Sequence, residues 1–190
     1  MHTDPSTEPA AEPQTAVFLD IDTALLESRW EPRGPELHLR PGVGEGLARL
    51  RQIADQVIVL VEPRSAEAAR KPDLRIEVLE EALGPEAAGL LIVTCRHESE
   101  SAEGADCGCR KPGTGLIDDA RRTYRVDERG GWHIGGDQAG VYGARAAGLR
   151  TIRIGPVSED HLSAVHRADH DARDLLAAAN VVMMQALTAA

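Results

Sequence analysis

The chain has 190 residues, a net charge of −10 and 42% hydrophobic residues, and only five of its residues are aromatic. This length predicts one domain with an aliphatic core. The negative charge argues against nucleic acid or a membrane surface as a partner, because both would repel the chain.

Residues 1–15 are rich in Pro, Glu, Thr and Ala and have neither a cationic start nor an apolar run. They predict a disordered tail rather than a signal peptide, which leaves residues 16–190 as the single domain. No stretch reaches the roughly 18 apolar residues that a membrane span requires. We therefore expect a monomeric, cytoplasmic protein whose cysteines stay reduced.

Residues 16–19 are a continuous apolar run that ends in Asp20 and, two residues later, Asp22. Such a run predicts a buried parallel strand that delivers two acids at its carboxyl end. Residues 25–40 have no clean period and contain Trp30 and two prolines. For them we expect an irregular excursion over the site, in which Trp30 covers the substrate or anchors the loop.

Three helices are predicted in the first two thirds of the chain, and each has one apolar face. The first follows Pro41 and Gly42, the second begins at the cap residue Asp73, and the third follows Gly113. Their apolar faces are Val43, Leu47, Leu50 and Ala54; Ile76, Leu79 and Leu83; and Leu116, Ala120 and Tyr124.

The remaining elements continue the alternation of strands and helices. Short apolar runs predict strands at residues 57–61, 90–93, 132–134, 151–154 and 168–170. A helix is expected over 139–147 with Gly148 as its carboxyl cap, and a closing helix after Asp171. The apolar face of the closing helix is Leu175, Ala179, Val182 and Ala186.

This alternation predicts an α/β fold, a doubly wound, three-layer Rossmann-like parallel sheet. Ligands of such sheets bind outside the carboxyl ends of the strands. Several charged residues directly follow predicted strands, so we expect them on one rim: Asp20, Asp22, Glu62, Arg110, Lys111 and Asp137.

All three cysteines lie in one loop, where Cys95 and His97 are followed by Cys107 and Cys109. Four such ligands suit a structural, tetrahedral zinc ion. One disulfide plus a free thiol ranks lower, because a bridge across a single residue is cramped. Catalytic zinc also ranks lower, since a complete ligand set leaves no open position for water. Arg110 and Lys111 follow as charges that balance the thiolates or face a ligand.

The acids on the rim indicate a second metal. Asp20 and Asp22, a third carboxylate from Asp137 and the nearby Lys111 together describe a magnesium site built for a phosphate. Magnesium prefers carboxylate oxygens and bridges to phosphate oxygens. The expected partner is therefore a small phosphorylated metabolite.

Taken together, these residues resemble the haloacid dehalogenase (HAD) superfamily of phosphatases, and within it the branch that contains heptose bisphosphate phosphatase and the histidinol phosphatase domain. Its most specific part is the loop of Cys95, His97, Cys107 and Cys109 that runs into Arg110, Lys111 and Pro112. The resemblance covers nearly everything after the tail and implies a HAD-like fold with no large cap domain.

By this resemblance Asp20 is the nucleophile that forms an aspartyl-phosphate, and Asp22 protonates the leaving alcohol and then activates water. The same likeness implies that Asp20, Asp137 and the backbone carbonyl of Asp22 bind magnesium. It also implies that Lys111 stabilises the phosphate charge and that Arg110 helps to bind the substrate.

Among the chain's departures from the family, two lie at the ends of its first two predicted strands. Thr23 and Ala24 stand where the family has Gly-Thr, and Val61 and Glu62 stand where it has a phosphate-binding Thr or Ser, often followed by Asn. Arg64 or Ser65 could compensate for the added charge of Glu62.

The leading hypothesis is a magnesium-dependent phosphomonoesterase that acts on a small soluble phosphate, such as a sugar phosphate. The alternative is a HAD-like scaffold that has lost efficient hydrolysis and serves as a binding or partner protein. A phosphotransferase that uses the same aspartyl-phosphate is a third possibility.

Overall fold

The computed structural model describes residues 15–62, 73–95, 108–126, 131–155 and 167–189. The strands are β1 (Ala16–Asp20), β2 (Leu26–Glu31), β3 (Gly34–Leu39), β4 (Gln56–Val61), β5 (Leu91–Thr94), β6 (Trp132–Gly135), β7 (Arg150–Ile154) and β8 (His170–Ala172). The helices are α1 (Val43–Leu50), α2 (Leu74–Leu83), α3 (Gly115–Tyr124), α4 (Gln138–Ala146) and α5 (Leu175–Ala189). Within the described ranges, no helix is long and apolar enough to cross a membrane.

Six strands form a parallel sheet in the order β5-β4-β1-β6-β7-β8. The chain first builds outward from β1 through β4 to β5, and then crosses to β6 on the other side of β1. The predicted doubly wound sheet is therefore confirmed. The strand order reverses between β1 and β6, which is where such sheets bind their ligands.

Two hydrophobic clusters cover the two faces of the sheet. Because successive side chains of a strand point to opposite faces, β1 supplies Val17 and Leu19 to one cluster and Ala16 and Phe18 to the other. The first cluster contains residues of α1, α2 and α5, and the second contains residues of α3 and α4. This arrangement confirms the three predicted layers and explains why β1 reads as a continuous apolar run.

Residues 26–39 are not the irregular excursion that the sequence suggested. They form an antiparallel hairpin of β2 and β3, which follows a π-helical turn at Ile21–Leu25 and makes a sheet of its own. Most side chains of the hairpin are exposed or only partly buried, so alternation of apolar and polar residues gave no signal. Trp30 is 85% exposed, so it does not anchor this segment by packing.

The last two elements also differ from their predicted positions. The final strand is His170–Ala172, and Asp171 lies within it. Asp174 caps α5 instead, because its side chain accepts a hydrogen bond from the amide of Ala177 at 2.8 Å. Ala186 was expected on the buried face but is exposed near the end of α5, where the helix extends beyond the core.

Helix α1 packs closely on α5 at Gly46. A Cβ atom at this position would lie 2.7 Å from Cγ and 2.9 Å from the backbone carbonyl carbon of Leu175. We expect Gly46→Ala to destabilise the protein by about 1 to 3 kcal/mol, measured by urea denaturation, because the two helices would have to move apart.

Gly44, in the same helix, is the matched control. A Cβ atom there would contact only the end of the Glu86 side chain, at 3.3 Å. Gly44→Ala is therefore expected to be neutral or stabilising by up to about 1 kcal/mol, since alanine favours the helix. Equal effects of the two substitutions would contradict the close approach of α1 and α5.

Candidate active site

The site is built from chain segments that follow the central strands. Asp20 is the last residue of β1, Glu62 follows β4, and Asp137 follows β6 and caps α4. Lys111 comes from the loop before α3. The parallel sheet brings these side chains to one rim because the carboxyl ends of its strands meet there.

Lys111 joins the two acids that the sequence singled out. Its Nζ lies 2.8 Å from Asp20 Oδ2 and 2.8 Å from Asp137 Oδ2. Burial opposes the ammonium form, but the attraction of the two carboxylates outweighs it and raises the pKa of Lys111. Lys111 is therefore a fixed positive charge between Asp20 and Asp137.

Asp20 is an ionised carboxylate in a buried position, with only 2% of its surface exposed. Burial alone would raise the pKa of Asp20, but the nearby His133 and Lys111 outweigh it and lower the pKa to about 2. Thr23 Oγ1 also lies 3.4 Å from Asp20 Oδ2. At neutral pH this carboxylate is unprotonated and available as a nucleophile.

Asp137 has two roles in the structure. Its Oδ1 accepts a hydrogen bond from the amide of Gly140 at 2.6 Å, which caps α4, while Oδ2 contacts Lys111. The amide of the preceding Gly136 donates to Thr23 Oγ1 at 2.7 Å. Thr23 thus ties the turn after β1 to the turn after β6, on either side of the crossover point.

Asp22 contacts an arginine that the sequence analysis missed. Arg75 is only 4% exposed, although it lies in the first turn of α2. Its guanidinium pairs with Asp22 and Asp73 and donates to the backbone carbonyl of Glu62 at 2.6 Å. Arg75 lies four residues before Leu79, so its position on the buried face was the available signal.

Glu62 points into the site. Its Oε1 accepts a hydrogen bond from the backbone amide of Lys111. Burial raises the pKa of Glu62, and the contact with Lys111 opposes this effect only in part. Val61 is buried in the core and offers no hydrogen-bonding group to a ligand.

These groups line a small cavity of about 30 Å³, which has room for about one water molecule. Its walls include Asp20, Asp22, Glu62, Lys111 and His133. Arg110 is not among the described residues that line it, and Arg64 lies outside the described residues. A phosphate ester would therefore have to bind at the open side of the cavity.

His133 is the second site residue that sequence reasoning missed. It pairs with Phe18 in the sheet register and therefore faces the same side of the sheet as Asp20. Its Nε2 lies 3.3 Å from Asp20 Oδ1. The alternation of side chains along β6 was the signal for this placement.

The negative charge around the cavity favours a hard cation such as magnesium, while no group of three or more carboxylates among the described residues is arranged to hold one. Around the cavity, the carboxylates of Asp20, Asp22, Glu62 and Asp137 outnumber the cations Lys111 and Arg75 by two. This excess of negative charge favours a divalent cation.

The zinc prediction falls partly outside the described residues, which exclude His97 and Cys107. Cys95 and Cys109 are buried in the cluster that also contains residues of α3. Among the described residues, no group of three or more side chains is arranged to hold a metal ion. The zinc site therefore stays a prediction.

We expect about one zinc ion per chain in protein purified without chelator, measured by elemental analysis. Replacing Cys107 and Cys109 together by Ser should abolish zinc binding, because thiolates supply most of the ligand set. Unsubstituted protein stripped of metal and then reloaded with zinc is the control. Absence of zinc from the purified protein would contradict the prediction.

Comparison with solved structures identifies the fold. A protein described as a HAD-like phosphatase from Mesorhizobium loti aligns with a TM-score of 0.63 and 19% identity, over 90% of this chain and 88% of that one. The chain has the HAD-like fold. The fold implied by the zinc loop and the strand-end acids is therefore confirmed.

Two further structures with the HAD-like fold are D,D-heptose 1,7-bisphosphate phosphatases. The one from B. bronchiseptica, complexed with magnesium and phosphate, has a TM-score of 0.65 and 20% identity over 90% of this chain and 99% of that one. The one from Burkholderia thailandensis has a TM-score of 0.57 and 15% identity over 89% and 98%. The sequence matches no protein-family model and no curated protein.

Proposed function

We propose that this HAD-like chain is a magnesium-dependent phosphomonoesterase that hydrolyses a small soluble phosphate ester, such as a sugar phosphate. The observation that carries the proposal is the ionised, buried Asp20 at the crossover point, held by Lys111 beside Asp137. Magnesium and phosphate in the related B. bronchiseptica structure support the same chemistry.

In the proposed reaction, a carboxylate oxygen of Asp20 attacks the phosphorus atom. A bond from Asp20 to phosphorus forms as the bond to the alcohol oxygen breaks, and Asp22, which must first take up a proton from solvent, gives that proton to the oxygen. Water then attacks the aspartyl-phosphate and transfers a proton to Asp22. This second step releases inorganic phosphate and restores the Asp20 carboxylate.

Lys111 and a metal ion would balance the negative charge of the phosphate group during the reaction. Lys111 is positioned to stabilise negative charge on the transferred phosphoryl group. The carboxylates of Asp20 and Asp137 and the backbone carbonyl of Asp22 would hold magnesium, which when bound supplies the charge that offsets the phosphate dianion.

Asp22 has to change partners during this reaction. Its carboxyl group contacts Arg75, which can only donate hydrogen bonds. To protonate a leaving oxygen, Asp22 must exchange this contact for one with the substrate. Arg75 would therefore hold the Asp22 side chain in its position before the substrate binds.

The test is phosphate release from a panel of sugar phosphates and p-nitrophenyl phosphate. We expect turnover of at least one substrate that requires added Mg²⁺, stops with EDTA and returns when Mg²⁺ is restored, because the site carries excess negative charge. Protein assayed without metal is the control.

A binding scaffold without efficient hydrolysis is the second candidate. It is favoured by Glu62, whose carboxylate takes the Lys111 amide that could otherwise face a phosphate oxygen, and by the buried Val61. No turnover of any substrate, together with no Mg²⁺ binding by calorimetry, would overturn the phosphatase proposal and support the scaffold.

A further inference from the structure

A buried histidine faces the proposed nucleophile from the side opposite Lys111. His133 is 1% exposed, and its Nε2 lies 3.3 Å from Asp20 Oδ1. Lys111 Nζ contacts the other carboxylate oxygen, Oδ2, at 2.8 Å. Each oxygen of Asp20 therefore has a different nitrogen beside it, from a different segment of the chain.

Two glycines provide the space in which the imidazole and the carboxylate meet. A Cβ atom on Gly135 would lie 2.3 Å from Asp20 Oδ2 and 2.9 Å from His133 Cε1. A Cβ atom on Gly140 would lie 3.1 Å and 3.2 Å from the same two atoms. Any larger residue at position 135 would displace the histidine or the carboxylate.

The polar atoms of this pair have few other partners. His133 Nε2, at 3.3 Å, is the nitrogen beside Asp20 Oδ1, which accepts no hydrogen bond from any other described residue, and His133 Nδ1 has no hydrogen bond among the described residues. A polar ring buried in this way is costly, and an apolar side chain would fill the same space without that cost. Within the described part of the chain, the contact with Asp20 is the interaction that explains why a histidine, and not an apolar residue, occupies position 133.

We propose that His133 is a positioning residue that holds the Asp20 carboxylate in the orientation needed for attack, with Nε2 on Oδ1 and Lys111 on Oδ2. The catalytic consequence rests on the proposed phosphatase function. His133 touches neither the phosphate nor the leaving group in this reaction. It acts through Asp20, by limiting rotation of the carboxylate about its last side-chain bond.

Two substitutions separate positioning from packing. His133→Met fills a similar volume but has no N–H donor, whereas His133→Gln keeps an amide nitrogen that can reach the place of Nε2. We expect His133→Met to lower kcat by about 10- to 100-fold with KM changed less than about twofold, since a misplaced nucleophile slows chemistry and not binding. His133→Gln should recover most of that loss.

His170→Gln is the matched control, because His170 lies in β8 at the edge of the sheet and outside the site. It should leave kcat unchanged. Equal kcat for the unsubstituted chain and His133→Met would overturn the proposal, as would an equal loss in His133→Met and His133→Gln. Thermal unfolding shows whether each variant is folded.

A second measurement does not depend on turnover. In the ¹⁵N spectrum of the imidazole groups, we expect a proton on His133 Nε2 and a change in that signal when Asp20 is replaced by Asn. A His133 protonated only on Nδ1, or a signal that does not respond to Asp20→Asn, would overturn the proposal even if His133→Met failed to fold. If no substrate is hydrolysed by the unsubstituted chain, the phosphatase proposal fails, and the spectrum still decides whether His133 holds Asp20.

Discussion

Replacing Asp20 by Asn is expected to lower phosphate release by a factor of about 10³ or more. The amide has nearly the same size and shape as the carboxylate, but it is not a nucleophile and cannot form an aspartyl-phosphate. The loss should appear in kcat, because Lys111 and Asp137 still form the rest of the site. It is measured by steady-state phosphate release with the best substrate of the panel.

A covalent readout distinguishes loss of the nucleophile from general damage. With labelled substrate and an acid quench, the unsubstituted chain should yield a labelled peptide containing Asp20, sensitive to hydroxylamine, and the Asp20→Asn variant should yield none. Asp171→Asn is the matched control, because Asp171 lies in β8 and pairs with Arg153 at 2.8 Å. More than about 1% residual activity in Asp20→Asn would contradict the nucleophile assignment.

The sequence was sufficient to predict the centre of the site because strand ends in a parallel sheet converge. Asp20 and Asp137 follow apolar runs, and a doubly wound sheet brings the residues that follow its strands to one edge. The structure adds that Lys111 lies between them, 2.8 Å from each carboxylate. The HAD-like fold follows from the same reasoning, joined to the likeness carried by the zinc loop.

The residues that the sequence did not reveal are polar groups on apolar faces. Patterns of apolar residues mark which face of α2 or β6 is buried. They do not show which residue elsewhere in the chain contacts a buried arginine or histidine on that face. Arg75 is buried because Asp22, 53 residues earlier in the chain, accepts its hydrogen bond. The hairpin of β2 and β3 was missed for the opposite reason, since its mostly exposed side chains carry no alternation.

Replacing Lys111 by Met should affect stability and activity together. In the absence of magnesium, the substitution leaves the carboxylates of Asp20 and Asp137 close together without the ammonium group that joins them. We expect a loss of about 2 to 3 kcal/mol in the free energy of unfolding, below the usual cost of an unpaired buried charge because Asp137 is partly exposed. Phosphate release should fall by about 10²- to 10³-fold.

Arg122→Met is the matched control for the loss of a cation. Arg122 pairs with Asp119 on the exposed side of α3, so its removal should change the free energy of unfolding by less than about 0.5 kcal/mol. An equal loss of stability in the two variants would contradict the role of Lys111 as a buried link between the acids.

Magnesium provides the sharper test of this arrangement, because Lys111 and the metal would neutralise the same two carboxylates. Removing the ammonium group raises the negative charge at Asp20 and Asp137, so Mg²⁺ should raise the melting temperature of Lys111→Met more than that of the unsubstituted chain. Activity should nevertheless stay low, since the metal cannot replace a cation aimed at the phosphoryl group. A smaller Mg²⁺ effect in the variant would show that the cation binds elsewhere, and would remove Asp20 and Asp137 from the proposed magnesium site.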